Sequence, residues 1–187
     1  MRKDLILLGL ITILLSVNCS LSRDSSIVGE EITPRNDLIF PNPFRPAPFA
    51  FYSIDVEFDP ISETYVETLR RESSGISNSP YGYMSQLYAF TGIKLTHLWF
   101  EERKMYVNLH EDELAIFKEL DSSGSLMRVT MLEKNILLLM RAQSGIHFER
   151  SFEVLVNGQR GVIGDNFDFS QIAIVENGEI VRRVPID

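Results

Sequence analysis

The residues best able to move a proton or hold a metal at neutral pH are the three histidines, His97, His110 and His147. His97 and His110 fall in different apolar segments, and His147 lies far along the chain. No HExxH motif, no Cys/His ligand spacing and no glycine-rich phosphate loop accompanies them. His97 is therefore expected in the core and His110 at a strand end on the surface. Carboxylates are plentiful, but glycosidase-type chemistry needs two of them converging across a cleft. Glu111, Asp112 and Glu113 are consecutive, which suits a first helical turn, where the dipole favours negative charge. Asp165 and Asp168 offer oxygen ligands to a cation, yet they lack the EF-hand spacing and read as a turn. Serines are numerous without a G-x-S-x-G elbow. These patterns single out no catalytic residue, no metal site and no cofactor.

The strongest chemistry in the sequence is at its start. Arg2 and Lys3 form a basic head, residues 5–15 an apolar run, and Ser16-Val17-Asn18 a short approach to Cys19. The apolar run is well short of the roughly 20 residues a membrane-spanning helix needs, so residues 1–18 read as a cleaved signal peptide. Cys19 is the only cysteine of the chain, so no internal disulfide can form. Leu14-Leu15-Ser16-Val17-Asn18-Cys19 resembles a relaxed bacterial lipobox, which implies a diacylated cysteine as the mature N-terminus. At about 0.8 kcal/mol per buried methylene, two or three acyl chains hold a protein stably on a bilayer. Ser20 is not the Asp that retains some lipoproteins in the inner membrane, so the expected location is exported and membrane-anchored, at the periplasmic face or the outer membrane.

Residues 19–47 are polar and then proline-rich, with Pro34, Pro41, Pro43 and Pro46 blocking helix and central strand. They read as a tether that Leu38, Ile39, Phe40 and Phe44 could partly dock. Residues 48–187 are expected to form one domain. The chain carries a net charge of −8, and removing Arg2, Lys3 and Asp4 with the signal makes it one unit more acidic. With no basic cluster beyond Arg70-Arg71 and Arg182-Arg183, nucleic acid is not an expected partner.

The elements that must position any site follow from periodicity. Tyr52, Ile54, Val56 and Phe58 alternate with polar residues as a half-buried strand. Residues 62–72 fit two readings: Thr64, Val66 and Thr68 suit a strand, whereas Asp59 as N-cap, Pro60, and Ile61, Tyr65 and Leu69 suit a helix. Residues 73–80 read as a loop, and residues 81–90 as a helix with Met84, Leu87 and Tyr88 inward and Gly92 past its end. Residues 93–109 form a hairpin around a charged turn. A short helix follows over 111–120, and a long one to Ser144 with Ser125 as its cap and Leu126, Val129, Leu132, Ile136, Leu139 and Met140 on its apolar face. Phe152, Val154 and Val156 make a strand, and residues 172–184 a hairpin about Asn177-Gly178. The expected class is a single small α+β domain of α/β type, with a mixed or antiparallel sheet and a long helix on one face.

This progression resembles the GerMN domain family of bacterial envelope proteins, most closely over residues 92–170. Similar to the family are the Gly-Ile-Lys-Leu entry at Gly92, Val107-Asn108-Leu109 closing a strand, Gly124-Ser125 before the long helix, and Phe152-Glu-Val-Leu-Val-Asn-Gly158. Residues 65–71 are similar to the family's L-V-x-E-x-R strand, which favours strand for 62–72. The usual Gly-Pro after the first helix is missing, and His110 stands where Ser is typical. The resemblance implies a ring-building-like fold and a non-catalytic scaffold, tethered to a membrane through lipid on Cys19 and working through an envelope protein partner or self-association. Trp99 and the strand Phe152, Val154 and Val156 are the candidate interaction surface, with core the alternative for Trp99. The other functional readings are an envelope ligand-binding lipoprotein, for a peptidoglycan fragment or small molecule, and, less favoured, a hydrolase.

Overall fold

The structure, a computed structural model, describes residues 26–27, 31–32, 47–77, 79–101, 103–144 and 150–186. Residues 1–18, expected to be a signal peptide, together with Cys19 and His147 lie outside the described residues, as do Leu38, Ile39, Phe40 and Phe44. The strands are β1 (Ser26–Ile27), β2 (Ala47–Asp59), β3 (Thr64–Ser77), β4 (Leu95–Glu101), β5 (Lys104–Leu109), β6 (Arg150–Val156), β7 (Val162–Gly164), β8 (Phe167–Asp168), β9 (Gln171–Glu176) and β10 (Glu179–Pro185). The helices are α1 (Pro80–Thr91), α2 (Glu111–Glu119) and α3 (Ser122–Ser144). Together they form a single small α+β domain around a mixed five-stranded sheet, with α3 packed against strands.

Sheet order is β10-β9-β6-β5-β4, and only β5 and β6 run parallel. A parallel pair needs a crossover, and here α2 and α3 supply it. The β9–β10 hairpin turns at Asn177 and Gly178, both at positive φ, as a two-residue primed turn requires. Of residues 62–72, all from Thr64 onward are strand: β2 and β3 form a separate two-stranded ribbon, paired continuously from Asp59↔Thr64 to Ala50↔Ser73. The stretch read as a loop over 73–80 belongs largely to this ribbon. Its serines and glycine have little strand propensity, and pairing with residues 47–50 holds them extended.

Leu98, Phe100, Val107, Phe152, Val154 and Val175 of the sheet meet Leu132, Ile136 and Leu139 of α3, Phe117 of α2, and Tyr83 and Leu87 of α1 in the main core. Gly92 ends α1 in the left-handed region, its N–H donating to the Tyr88 carbonyl. On α1 the inward aromatic is Tyr83, while Tyr88 is exposed. The cap of α3 is also corrected. Asp121 accepts from the Gly124 N–H at 2.7 Å, one turn before the expected start. Ser125 is instead buried inside the helix with its hydroxyl donating to the Phe117 carbonyl, and Leu126 points out at 66% exposure.

Two stretches of the expected tether lie on the domain. β1 pairs antiparallel with β7, and the Ile32 N–H donates to the Gly158 carbonyl at 2.8 Å. Ile32 packs against a smaller cluster of Trp99, Tyr106 and Leu155 on the opposite face of the sheet.

Candidate functional site

The expected interaction surface is interior. Trp99 is 1% exposed and stacks on Tyr106 at 4.9 Å between centroids. Phe152, Val154 and Val156 are buried as well: β6 is an inner strand, paired with β5 along its length from Ser151 and with β9 over Arg150–Phe152. Side chains held in the core in this way are not available to a partner.

The two described histidines, His97 and His110, have separate roles. His97 is half-buried on β4, and desolvation pushes its imidazole below the ordinary range, which keeps it neutral at pH 7. His110 is not a bare surface residue: it is the N-cap of α2, its Nδ1 accepting from the Asp112 N–H at 3.2 Å. The same nitrogen lies 3.0 Å from the Asp112 carboxylate. It cannot accept from one and donate to the other at once, so the cap belongs to the neutral ring and the ion pair to the protonated one. Asp168 accepts from the Ser170 N–H and hydroxyl and so fixes its own turn. Among the described residues no three His, Cys, Asp or Glu side chains gather as a metal site.

Two carboxylates are deeply buried, Glu113 in the first turn of α2 and Glu153 in β6. Glu113 accepts from the Lys94 N–H at 2.8 Å and from Arg128 at 2.7 Å and 3.2 Å, and Arg128 also donates to the Gly92 carbonyl. It ties α2 to α3 and to the end of α1. Glu153 of β6 is 0% exposed, bound by Arg160 at 2.6 Å and 3.2 Å and by Lys104 at 3.1 Å. For Lys104, burial disfavours the charge, but the hydrogen bonds its ammonium donates to Tyr106 and Glu153 outweigh it and raise the ammonium above its ordinary value. Removing one partner from a buried pair leaves an uncompensated charge, so these groups brace the fold. Glu113 had a signal: it shares a helical face with Phe117, four residues on. Glu153 had one too, as the one charge inside the apolar run from Phe152 to Val156, which is buried throughout.

An open cavity of about 380 Å³ lies between α3 and the β7–β8 turn, with Leu126, Val129, Ile163 and Phe167 as apolar lining and Asp165, Asn166, Asp168 and Gln171 at its polar rim. Arg183 of β10 closes one end by a fork onto Glu133 at 2.7 Å and 2.9 Å. Its size falls in the range of about 300–1,000 Å³ common for small-ligand sites.

The β2–β3 ribbon presents the other accessible feature. In an antiparallel ladder every second residue points both backbone groups away from the partner strand. At Tyr52 those groups meet the side chain of Asn135, whose Oδ1 accepts from the Tyr52 N–H at 2.8 Å and whose Nδ2 donates to the Tyr52 carbonyl at 2.9 Å. Asn135 thus acts as a one-residue strand on the ribbon's outer edge. Phe49 and Phe51 are buried beside it against Tyr83. Farther out, Val56 on one face and Val66 on the other are exposed, and Ile61 at the tip is 93% exposed. Asp59 holds the tip turn, accepting from the Ser62 hydroxyl at 2.7 Å and the Ile61 N–H at 2.9 Å, bonds that keep its carboxyl below the ordinary carboxylate range.

No protein-family model, no curated protein and no solved structure matches the chain. The functional reading therefore rests on the residues and their geometry.

Proposed function

We propose that this protein is a lipid-anchored component of a bacterial cell envelope, held through Cys19, and that its GerMN-like domain is a non-catalytic assembly module. The observation that carries the reading is the outer half of the β2–β3 ribbon. It offers strand edges past the reach of Asn135 and bare apolar side chains at Val56, Ile61 and Val66, the combination by which an added strand docks on a partner. The surface moves from Trp99 and β6, which are enclosed, to this ribbon. A non-catalytic role agrees with the state of the buried carboxylates: Glu113 and Glu153 are each held by a cation, leaving neither poised as a general acid or base.

The test has two parts. Intact mass of the protein from its native membrane should show an N-terminus at Cys19 carrying diacylglycerol, absent in Cys19→Ala. A photocrosslinker at Val56 should then capture an envelope protein or a second copy, whereas one at Lys118, on the far helix, should not. An unmodified soluble species, or equal capture from both positions, would overturn the anchor or the surface respectively.

The open cavity beside α3 favours a second reading, an envelope lipoprotein that holds a peptidoglycan fragment or small molecule. Saturable binding of muropeptides, weakened by Asn166→Ala and unaffected at the ribbon, would select it.

A further inference from the structure

The outer edge of β2 combines an open backbone with a row of carboxylates. The backbone groups of Tyr52 point away from β3 onto Asn135, and the register from Ala50 to Asp59 is unbroken, so those of Ile54 and Val56 point the same way. Among the described residues no backbone group pairs with them on that side. The open stretch, Ile54–Asp59, has the length of an ordinary strand. Side chains alternate along it, so Ile54 and Val56 lie on one face of the ribbon and Asp55, Glu57 and Asp59 on the other, in a row about 7 Å apart. Opposite that row on β3 stand Thr68, Val66 and Thr64, none of them charged. From Ser53 to Leu69 the sequence has five acidic residues, Asp55, Glu57, Asp59, Glu63 and Glu67, and no Lys, Arg or His. Arg70 reaches Asp55 at 3.2 Å from the inner side. Among the described residues no cation pairs with Glu57, Glu63 or Glu67.

We propose that the outer edge of β2 takes up an extended segment of a partner protein in which Lys or Arg alternates with apolar residues. The inference rests on the ribbon being the assembly surface and names what that surface accepts. An added strand shares the period of two of the strand it lies against. Its residues opposite Ile54 and Val56 are therefore apolar, and those opposite Asp55, Glu57 and Asp59 are cationic. Backbone bonds give such a docking its affinity, and the alternate side chains give it specificity. Cross-strand pairs of opposite charge are favourable, whereas like charges directly opposite each other are destabilising. This selects against a second copy as the occupant. Two β2 edges joined antiparallel about a two-fold axis would bond through Ile54 and Val56 of both, setting one acidic row against the other. Asn135 marks the inner limit of the docking, since it already fills the place of an added strand at Tyr52.

The experiment titrates the full chain with synthetic peptides, following the Ile54 and Val56 amides by NMR. One short peptide alternates Lys with Val, and its counterpart has Glu at every Lys position. Saturable shifts are expected with the lysine peptide and none with the glutamate peptide. N-methylation along one backbone edge of the lysine peptide should abolish the shifts, and along the other should leave them, as addition through a single edge requires. Glu57→Lys should weaken the lysine peptide about tenfold, the change from an attractive to a repulsive cross-strand pair. A lysine peptide carrying Glu at its central Lys position should recover that loss in the variant and bind the parent more weakly. Glu57 is exposed, so its replacement leaves folding intact. Glu119→Lys on α2, an equal change of net charge, should bind as the parent does. Absence of saturable shifts, equal binding of the lysine and glutamate peptides, or equal weakening by Glu57→Lys and Glu119→Lys overturns the proposal. The photocrosslinker at Val56 tells its failure from that of the assembly reading. Capture of an envelope protein that excess lysine peptide does not prevent, or capture of a second copy, overturns the basic strand and leaves the ribbon as the assembly surface, whereas no capture at Val56 overturns both.

Discussion

From Phe49 to Tyr52 the β2–β3 ribbon is enclosed by α1 and α3, and farther out Val56, Ile61 and Val66 are bare, although one pattern of alternating side chains runs through both halves. Tyr52, Ile54 and Val56 share a face, and exposure rises along it from two half-buried residues to 55% at Val56. Backbone pairing runs unbroken from Ala50 to Asp59, with the one register shift between Pro48 and Ala50 at the enclosed end. What differs is the arrival of Asn135 and its neighbours on the outer edge. The comparison teaches that alternation specifies a strand, whereas enclosure depends on distant residues. An isolated two-stranded ribbon is marginal in water, so the enclosed half must anchor the bare one.

Truncation separates the halves most sharply. Phe51→Ala should lose about 3–5 kcal/mol of stability in denaturant unfolding, as expected for a fully buried aromatic, while Val56→Ala should stay within about 0.5 kcal/mol. Similar losses at both positions would mean that the outer half is enclosed too. A somewhat smaller effect is expected at the lock itself. Asn135→Ala leaves the N–H and carbonyl of Tyr52 without their partner, at about 1–3 kcal/mol for a buried unsatisfied group. Amide exchange at Tyr52 should accelerate in that variant more than at Val66. Charge on the bare half should leave folding alone: Val56→Asp is expected to keep stability within about 0.5 kcal/mol yet abolish crosslinking from the ribbon. Retained crosslinking would move the assembly surface elsewhere.

The gentlest test is acid. The Asp59 carboxyl is depressed below its ordinary 3.8 by the Ser62 hydroxyl and the Ile61 N–H. A depressed carboxylate contributes order that is fully present above the unfolded value and is lost as pH falls through the folded one. NMR shifts of Ile61 and Ser62 should therefore titrate below pH 3.8, while the Tyr52 amide keeps its bond to Asn135. A tip that titrates at or above the ordinary value would show the turn to be unformed in solution.

Most elements were legible because they are set locally. The β4–β5 and β9–β10 hairpins, β6 and α3 follow from alternation, Asn177-Gly178, and three- and four-residue steps. The α3 cap was misplaced because both Asp121 and Ser125 are good caps, and the choice depends on which one the core swallows. The two enclosing layers of β6 were invisible for a different reason. Glu153 is bearable inside only because Lys104 and Arg160 reach it, and neither is a sequence neighbour. Trp99 and β6 were read as a candidate surface because apolar strands at an interface and in a core have the same composition. Asn135 carried the same signal as Glu113, a polar residue on one helical face with Met131, Leu132 and Leu139, but its partner Tyr52 lies 83 positions away and nothing local points to it.

The bond between Tyr52 and Asn135 spans 83 positions of the chain. During synthesis the ribbon is finished long before the residue that seals its edge exists. Throughout that interval its backbone is a template open to any passing strand, the situation in which nascent chains mispair. The protein therefore has a built-in delay between forming its most adhesive segment and shielding half of it. A chain stopped before residue 135 would carry that segment open along its whole length.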